Sequence, residues 1–179
     1  MAMRGAFLEQ LTWPEAEAWY RAGRVVLVPI GAAAKEHGHH LPLNTDWTVT
    51  RALAERLAAQ LPVLVAPVVG FGYYPAFTNY PGSQHIRAET FIALVKDLLG
   101  NLIDHGVSRI AVLNGGVSTE APLAIALRDT LEQRKVRVAA AHIRELGRKA
   151  HALLQQTSGG HADEGRRRQA EADAGQERQ

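Results

Sequence analysis

The sequence predicts an α/β fold, a three-layer α/β/α sandwich in which helices cover a mostly parallel sheet on both faces. Short apolar runs alternate along the chain with longer amphipathic segments, as they do when each parallel strand is followed by a crossover helix. The chain has 179 residues, 46% of them hydrophobic and 21% charged. This is enough apolar material for one compact domain with its own core.

Each element follows from a local pattern. Unbroken apolar runs of strand length are typical of parallel strands that are covered on both faces. Such runs lie at residues 25–30, 63–69, 109–113 and 136–141. Thr12 and Glu15 have the spacing of a capping box, which predicts the start of a first helix. Further helices are predicted over residues 46–61, 89–105, 118–135 and 143–155.

Charge and composition exclude several classes of protein. Lys and Arg number 20 against 18 Asp and Glu, so no field of one sign indicates a nucleic acid or an acidic membrane as the partner. The chain has no cysteine, which excludes disulfide scaffolds and thiol nucleophiles. Any metal must therefore be bound by His and carboxylate groups. Because no signal peptide or membrane-spanning run is recognisable, we expect a cytoplasmic protein.

The loop after the first predicted strand concentrates residues that bind metals. Residues 35–46 contain three imidazoles and two carboxylates at the carboxyl end of a strand, where ligands bind in α/β folds. These are the ligands that borderline divalent metals prefer, and a di-metal hydrolytic site is the functional interpretation. In the alternative, His39 and His40 are surface residues and Asp46 caps the following helix.

Two later segments also carry candidate chemistry. Asn114, Gly115 and Gly116 end the third predicted strand, where glycines let backbone N–H groups approach an anion or a carbonyl oxygen. Residues 159–164 combine a His with two carboxylates after a pair of glycines. The loop of residues 70–83 is rich in aromatic residues, as binding surfaces are.

These motifs resemble the signature of the creatininase (creatinine amidohydrolase) family. The counterparts follow in the family's order at residues 37–42 (HGHHLP), 45–46 (TD), 80–83 (YPGS), 114–116 (NGG) and 161–162 (HA). The resemblance runs from about Leu11 to Glu164, and it implies a creatininase-like α/β domain over residues 1–164.

Residues 165–179 have no apolar stripe, and we expect them to form a polar, disordered tail. The arginines in this tail are typical of a solvated segment rather than of a nucleic-acid site.

The resemblance implies a two-metal site with five ligand positions, of which His37 and Asp46 match. Asp46 stands at the position that bridges the metals. The other three positions hold Lys35, Gly116 and Ser118, which bring no carboxylate or imidazole.

One additional residue before His37 suggests a rearranged site. It could turn Glu36 inward as a replacement ligand, with His40 as a further candidate. The ammonium of Lys35 would either take over the charge of one metal or swing out to solvent.

The activity implied is metal-dependent hydrolysis of a C–N bond in a cyclic amide or small amide. The metal would be zinc or manganese, with one ion per chain or none. His161 would transfer a proton to the leaving nitrogen, with Glu164 and Lys35 as further catalytic candidates. The substrate would be bound by Trp47, Tyr73, Tyr74, Phe77, Gly115, Gly116 and Ser118. The resemblance also implies a homo-oligomer. The alternative is a catalytically inactive homologue that binds a small molecule or serves as an assembly subunit.

Overall fold

The structure is a computed structural model that describes residues 4–149. Its strands are β1 (Ala6–Phe7), β2 (Val26–Ile30), β3 (Leu64–Val65), β4 (Ile110–Asn114) and β5 (Val138–His142). Its helices are α1 (Trp13–Arg21), α2 (Thr45–Gln60), α3 (Ala88–Asp104) and α4 (Glu120–Arg134). The chain divides into a unit that ends at Ile143 and a second unit that begins at Arg144. The described part of the second unit, residues 144–149, is helical.

The described strands form one parallel sheet in the order β1-β3-β2-β4-β5. The register pairs Ile30 of β2 with Asn114 of β4, and Asn114 with His142 of β5. These three residues therefore lie side by side at the carboxyl edge of the sheet. The parallel sheet with its helices confirms the predicted fold class.

Two predicted elements differ from the structure for local reasons. The run at residues 63–69 was expected to be one strand, but only Leu64 and Val65 pair as β3, and Val69 adds an isolated bridge to Ile30. Pro67 lies between them and has no N–H to donate to a ladder. Strand β1 was not predicted, because two residues are too short for a hydrophobic pattern to be recognised.

The core lies on both faces of the sheet. On one face, α3 and α4 bury Phe91, Leu99 and Leu123 against the central strands. On the other face, α2 buries Ala54 and Ala58. Helices therefore form a layer on each side, as the sequence predicts.

Two glycines bring α2 onto the carboxyl edge of the sheet. A Cβ atom on Gly31 would lie 2.6 Å from the backbone oxygen of Asp46 and 2.7 Å from Oγ1 of Thr50. A Cβ atom on Gly115 would lie 2.0 Å from the same Thr50 oxygen. Only residues without a side chain fit here, so the first turns of α2 lie directly on the ends of β2 and β4.

Residues 4–149 contain no helix that is both long enough and apolar enough to cross a membrane.

We expect Gly31→Ala to destabilise the protein by about 1–3 kcal/mol, because the added methyl group must push the first turn of α2 off the sheet. The measurement is urea denaturation followed by circular dichroism. Gly100→Ala is the matched control, because a Cβ atom there has only Arg134 Nη2 nearby, at 3.7 Å. Gly100 lies within α3, so its replacement should stabilise the helix by up to about 1 kcal/mol. Equal stability of the Gly31→Ala variant and the parent would contradict the close approach.

Candidate functional site

The loop between β2 and α2 closes on itself and presents its polar side chains to the sheet edge. The Lys35 backbone N–H donates to the carbonyl of Leu43 at 2.9 Å, and the Trp47 N–H donates to the carbonyl of Ala32 at 3.1 Å. Gly38 has a φ of +81°, which suits the turn between the two sides of the loop. The two hydrogen bonds bring the start of α2 against residues 32–35.

Lys35, His37 and Asp46 form a cluster that we call the charge triad. The Lys35 ammonium donates to Oδ2 of Asp46. Nε2 of His37 lies 2.9 Å from Oδ1 of the same carboxylate. The side chains of Lys35, His37 and Asp46 are 12%, 13% and 15% exposed, so these contacts are shielded from most of the solvent. Asp46 thus uses both of its oxygens within the triad.

The surroundings of the His37 ring define its hydrogen-bonding role. Nδ1 lies 2.7 Å from the backbone carbonyl of Lys35, and a carbonyl only accepts, so Nδ1 donates. Nε2 points at a carboxylate oxygen of Asp46, 2.9 Å away. The carbonyl contact at Nδ1 therefore orients the ring toward Asp46.

Aromatic side chains form one wall beside Lys35. Its ammonium lies 5.3 Å from the centre of the Phe77 ring, within the range of a cation–π contact. The Tyr74 hydroxyl lies at hydrogen-bonding distance from the carbonyls of Ala34, at 3.0 Å, and Gln84. Burial raises the pKa of Tyr74, and the charge of Asp46 adds to this shift. Tyr74 therefore remains a neutral donor. Its hydroxyl joins the β2–α2 loop to the aromatic-rich loop of residues 70–83, which we call the aromatic loop.

Asn114 fixes the opposite wall. Its Nδ2 donates to the Gly116 carbonyl at 2.7 Å and to Nδ1 of His142 at 3.1 Å. Its Oδ1 accepts from the Thr119 hydroxyl at 2.7 Å and from the Gly116 N–H at 3.3 Å. All four hydrogen-bonding positions of a fully buried amide are filled. The turn that leads into α4 is thereby held in place.

A narrow cleft separates the two walls. Its lining includes Lys35, Asp46 and Tyr74 on one side and Gly116, Ser118 and Thr119 on the other. Its volume is about 10 Å³, room for a single water molecule. A larger apolar groove of about 510 Å³ lies between α3 and residues 66–71, but no residue of the charge triad lines it. The chemistry is therefore concentrated in the narrow cleft.

The structure brings together only part of the predicted site. Glu36 was expected to turn toward His37 and Asp46, but its carboxylate accepts from the Gly38 N–H in its own turn. His40 is exposed on the same loop. The cleft lining includes Tyr74, Gly116 and Ser118 but not Trp47, Tyr73 or Gly115. Gly115 instead packs beneath Thr50. His161 and Glu164 lie outside the described residues.

Asn114 and Thr119, which support the wall of the cleft, were not singled out in the sequence. Asn114 was identified only as part of a glycine turn, and Thr119 lay within a predicted helix. The Thr119 hydroxyl makes no capping hydrogen bond and donates to Asn114 instead. The available signal was an amide at the end of a strand that is otherwise apolar, IAVLN.

The described residues do not fit a divalent cation. No three His, Asp or Glu side chains converge as metal ligands anywhere in residues 4–149. His37 and Asp46 supply two ligands, where hydrolytic zinc sites usually have three from the protein. Both are bound to other groups, and one of these groups is the ammonium of Lys35.

Comparison with known proteins places this chain in one family. The family model described as creatininase, creatinine amidohydrolase, matches residues 9–166. The chain therefore belongs to the creatininase family. It is 33% identical over 118 residues to creatinine amidohydrolase of Pseudomonas putida, covering 63% of this chain and 45% of that protein. It is 31% identical over 109 residues to a mycofactocin precursor peptide peptidase of Mycolicibacterium smegmatis, covering 58% of this chain and 43% of the peptidase.

Solved structures show the same relationship. A mutant creatininase of the Zn-Zn type matches with a TM-score of 0.77 at 26% identity, over 87% of this chain and 64% of the other. A creatininase structure with manganese matches with a TM-score of 0.69 at 28% identity, over 77% and 58%. This chain thus spans less than half the length of the two curated relatives and about three fifths of these solved chains.

We expect Tyr74→Phe to lower the free energy of unfolding by about 0.5–1.5 kcal/mol at neutral pH, because it removes the hydroxyl that contacts the carbonyls of Ala34 and Gln84. Urea denaturation measures the change. Tyr80→Phe is the control, since Tyr80 is 49% exposed and its replacement should change stability little.

The pH dependence of this difference tests the state of the hydroxyl. Because the pKa of Tyr74 is raised above 10 in the folded protein, its stabilising contribution is fully present below pH 10. It is lost as the pH rises through the raised pKa. Parent and Tyr74→Phe should therefore approach each other in stability in alkaline solution. A difference that grows above pH 10 would contradict the assignment.

Proposed function

We propose that this chain is a creatininase-class hydrolase that cleaves a C–N bond in a cyclic amide or small amide. The observation that carries the proposal is that Lys35 and Asp46 of the charge triad face Gly116 across a cleft at the carboxyl edge of a parallel sheet, in a member of this family. This edge is where ligands bind in α/β folds. The conformation described is narrow, so the substrate must displace the aromatic loop or the turn to enter.

The residues of the cleft suit the charge that develops during amide hydrolysis. When water adds to an amide carbonyl, the oxygen becomes an oxyanion that needs fixed donors. The Lys35 ammonium lies on one side of the cleft, and Ser118 lies on the other. The attacking water loses a proton as it adds, and we assign the transfer of this proton to the leaving nitrogen to His161, with Glu164 as a second candidate. The substrate would pack against Tyr74, which lines the cleft, and Phe77 lies beside Lys35.

Metal dependence, zinc or manganese, is the part of the sequence prediction that the described donor set does not support. No step of the proposed reaction therefore runs through a metal. Action in the cytoplasm as a homo-oligomer remains an expectation from the family resemblance, and size-exclusion chromatography with light scattering measures the oligomeric state.

A second candidate function is small-molecule binding or assembly without catalysis. The specific observation in its favour is the Lys35–Asp46 contact, which neutralises the carboxylate at the position that bridges the metals in the family pattern. Both oxygens of this carboxylate already contact another polar group, which leaves the carboxylate poorly placed to accept a proton from water. In this second candidate function, the cleft would bind a small molecule without hydrolysing it.

Turnover of a panel of amides tests the first function. The full chain is incubated with creatinine, other five-membered cyclic amides and short peptides, and the products are identified by mass spectrometry. We expect ring opening or peptide cleavage, and a loss of about 100-fold or more in kcat/KM for Lys35→Ala, as for removal of an oxyanion donor. Lys96→Ala is the matched control, because Lys96 makes a comparable ion pair, with Asp129 at 3.1 Å, between α3 and α4.

The same panel separates the two functions. Saturable binding that Lys35→Ala abolishes, with no turnover in any form of the protein, would favour the non-catalytic candidate. Absence of both binding and turnover would contradict both. Turnover that is equal in the parent and Lys35→Ala would remove Lys35 from the reaction.

A further inference from the structure

Lys35 is a cation held inside the cleft rather than a surface lysine. Its side chain is 12% exposed, and its ammonium contacts the Asp46 carboxylate and the face of the Phe77 ring. Lysines are rarely buried to this degree unless they are paired. The pairing partner is the residue that the family resemblance places between two metals.

Backbone contacts on both sides of Lys35 fix the loop from which its side chain starts. Its N–H donates to the Leu43 carbonyl at 2.9 Å, and its own carbonyl contacts Nδ1 of His37 at 2.7 Å. The next residue donates its backbone N–H to Oγ of Ser83 at 3.1 Å. The side chain itself is held by the Asp46 carboxylate and the Phe77 ring.

An ammonium at this position competes with a metal ion for the same carboxylate. A divalent cation on Oδ2 of Asp46 would have to displace the Lys35 ammonium from that oxygen or lie directly beside it. The described residues offer no third ligand that would compensate for this repulsion. Glu36, the nearest additional carboxylate in the sequence, is bound to the Gly38 N–H.

We propose that the Lys35 ammonium takes the place of a divalent cation in this cleft, so that the site is metal-independent. The fixed ammonium then supplies the positive charge toward a ligand oxygen. This proposal rests on the proposed function only in taking this cleft as the functional site. What is new is that the Lys35 ammonium provides the positive charge in the cleft.

Zinc titration by calorimetry tests the inference without using activity. Four forms of the full chain are compared after chelator treatment and dialysis, namely the parent, Asp46→Asn, Lys35→Glu and the Lys35→Glu/Asp46→Asn double variant. Asp46→Asn should leave the zinc binding of the parent unchanged, because zinc bound elsewhere on the chain does not involve Asp46. Lys35→Glu should bind one zinc ion more than the parent, because the substitution removes a cation and adds an anion. The affinity for this ion should be about tenfold or more above that of any weak zinc binding at the same site in the parent. The double variant should lose this gain.

Lys96→Glu is the matched control, because it places the same new carboxylate beside Asp129, away from the triad. It should give no gain that depends on Asp46. If Lys35→Glu fails to fold by circular dichroism, Lys35→Gln replaces it, and we expect the same gain at lower affinity.

Two results would overturn the inference. One is an equivalent of zinc on the parent that Asp46→Asn removes. The other is a folded Lys35→Glu variant with the zinc stoichiometry and affinity of the parent. Failure of the proposed function can be distinguished from failure of this inference. In that case no substrate would be turned over, while zinc would still bind to Lys35→Glu and not to Asp46 in the parent. Turnover that a chelator abolishes and zinc restores would overturn the inference and leave hydrolysis standing.

Discussion

The site depends on one carboxylate, that of Asp46, held between an ammonium and an imidazole. Asp46 lies in the first turn of α2, where the helix dipole favours a negative charge. Gly31 and Gly115 let this turn lie directly on the ends of β2 and β4. The position of Asp46 is therefore set by backbone packing, and the side chains of Lys35 and His37 are drawn to it. A change in that packing would alter the whole cleft.

Much of the fold could be predicted because its signals are local. The run VLVPI is apolar throughout and forms β2, which is buried along its length. Thr12 and Glu15 form the predicted capping box at the start of α1. Strands β1 and β3 could not be delimited, since two paired residues leave no pattern and the apolar run continues past Pro67. Their extent depends on pairing with neighbouring strands.

The site was less predictable, because spacing does not determine the direction of a side chain. The additional residue before His37 indicated that one of its two predecessors turns inward, and Glu36 was the expected one. In the structure the Lys35 side chain instead contacts Asp46, and Glu36 contacts the Gly38 N–H in its own turn. Similarly, the four hydrogen bonds of Asn114 depend on β5 and α4, which are distant in sequence. Sequence reasoning therefore located the cleft but not its internal contacts.

The central claim is that Asp46 is occupied by Lys35 and His37 rather than by a metal. The most direct measurement is a crystal structure of the full chain grown with zinc, with anomalous scattering recorded at the zinc edge. We expect no anomalous peak on Asp46, with the Lys35 ammonium on one of its oxygens and the His37 ring on the other. A zinc peak bound by Asp46 and His37, with Lys35 displaced toward solvent, would contradict it.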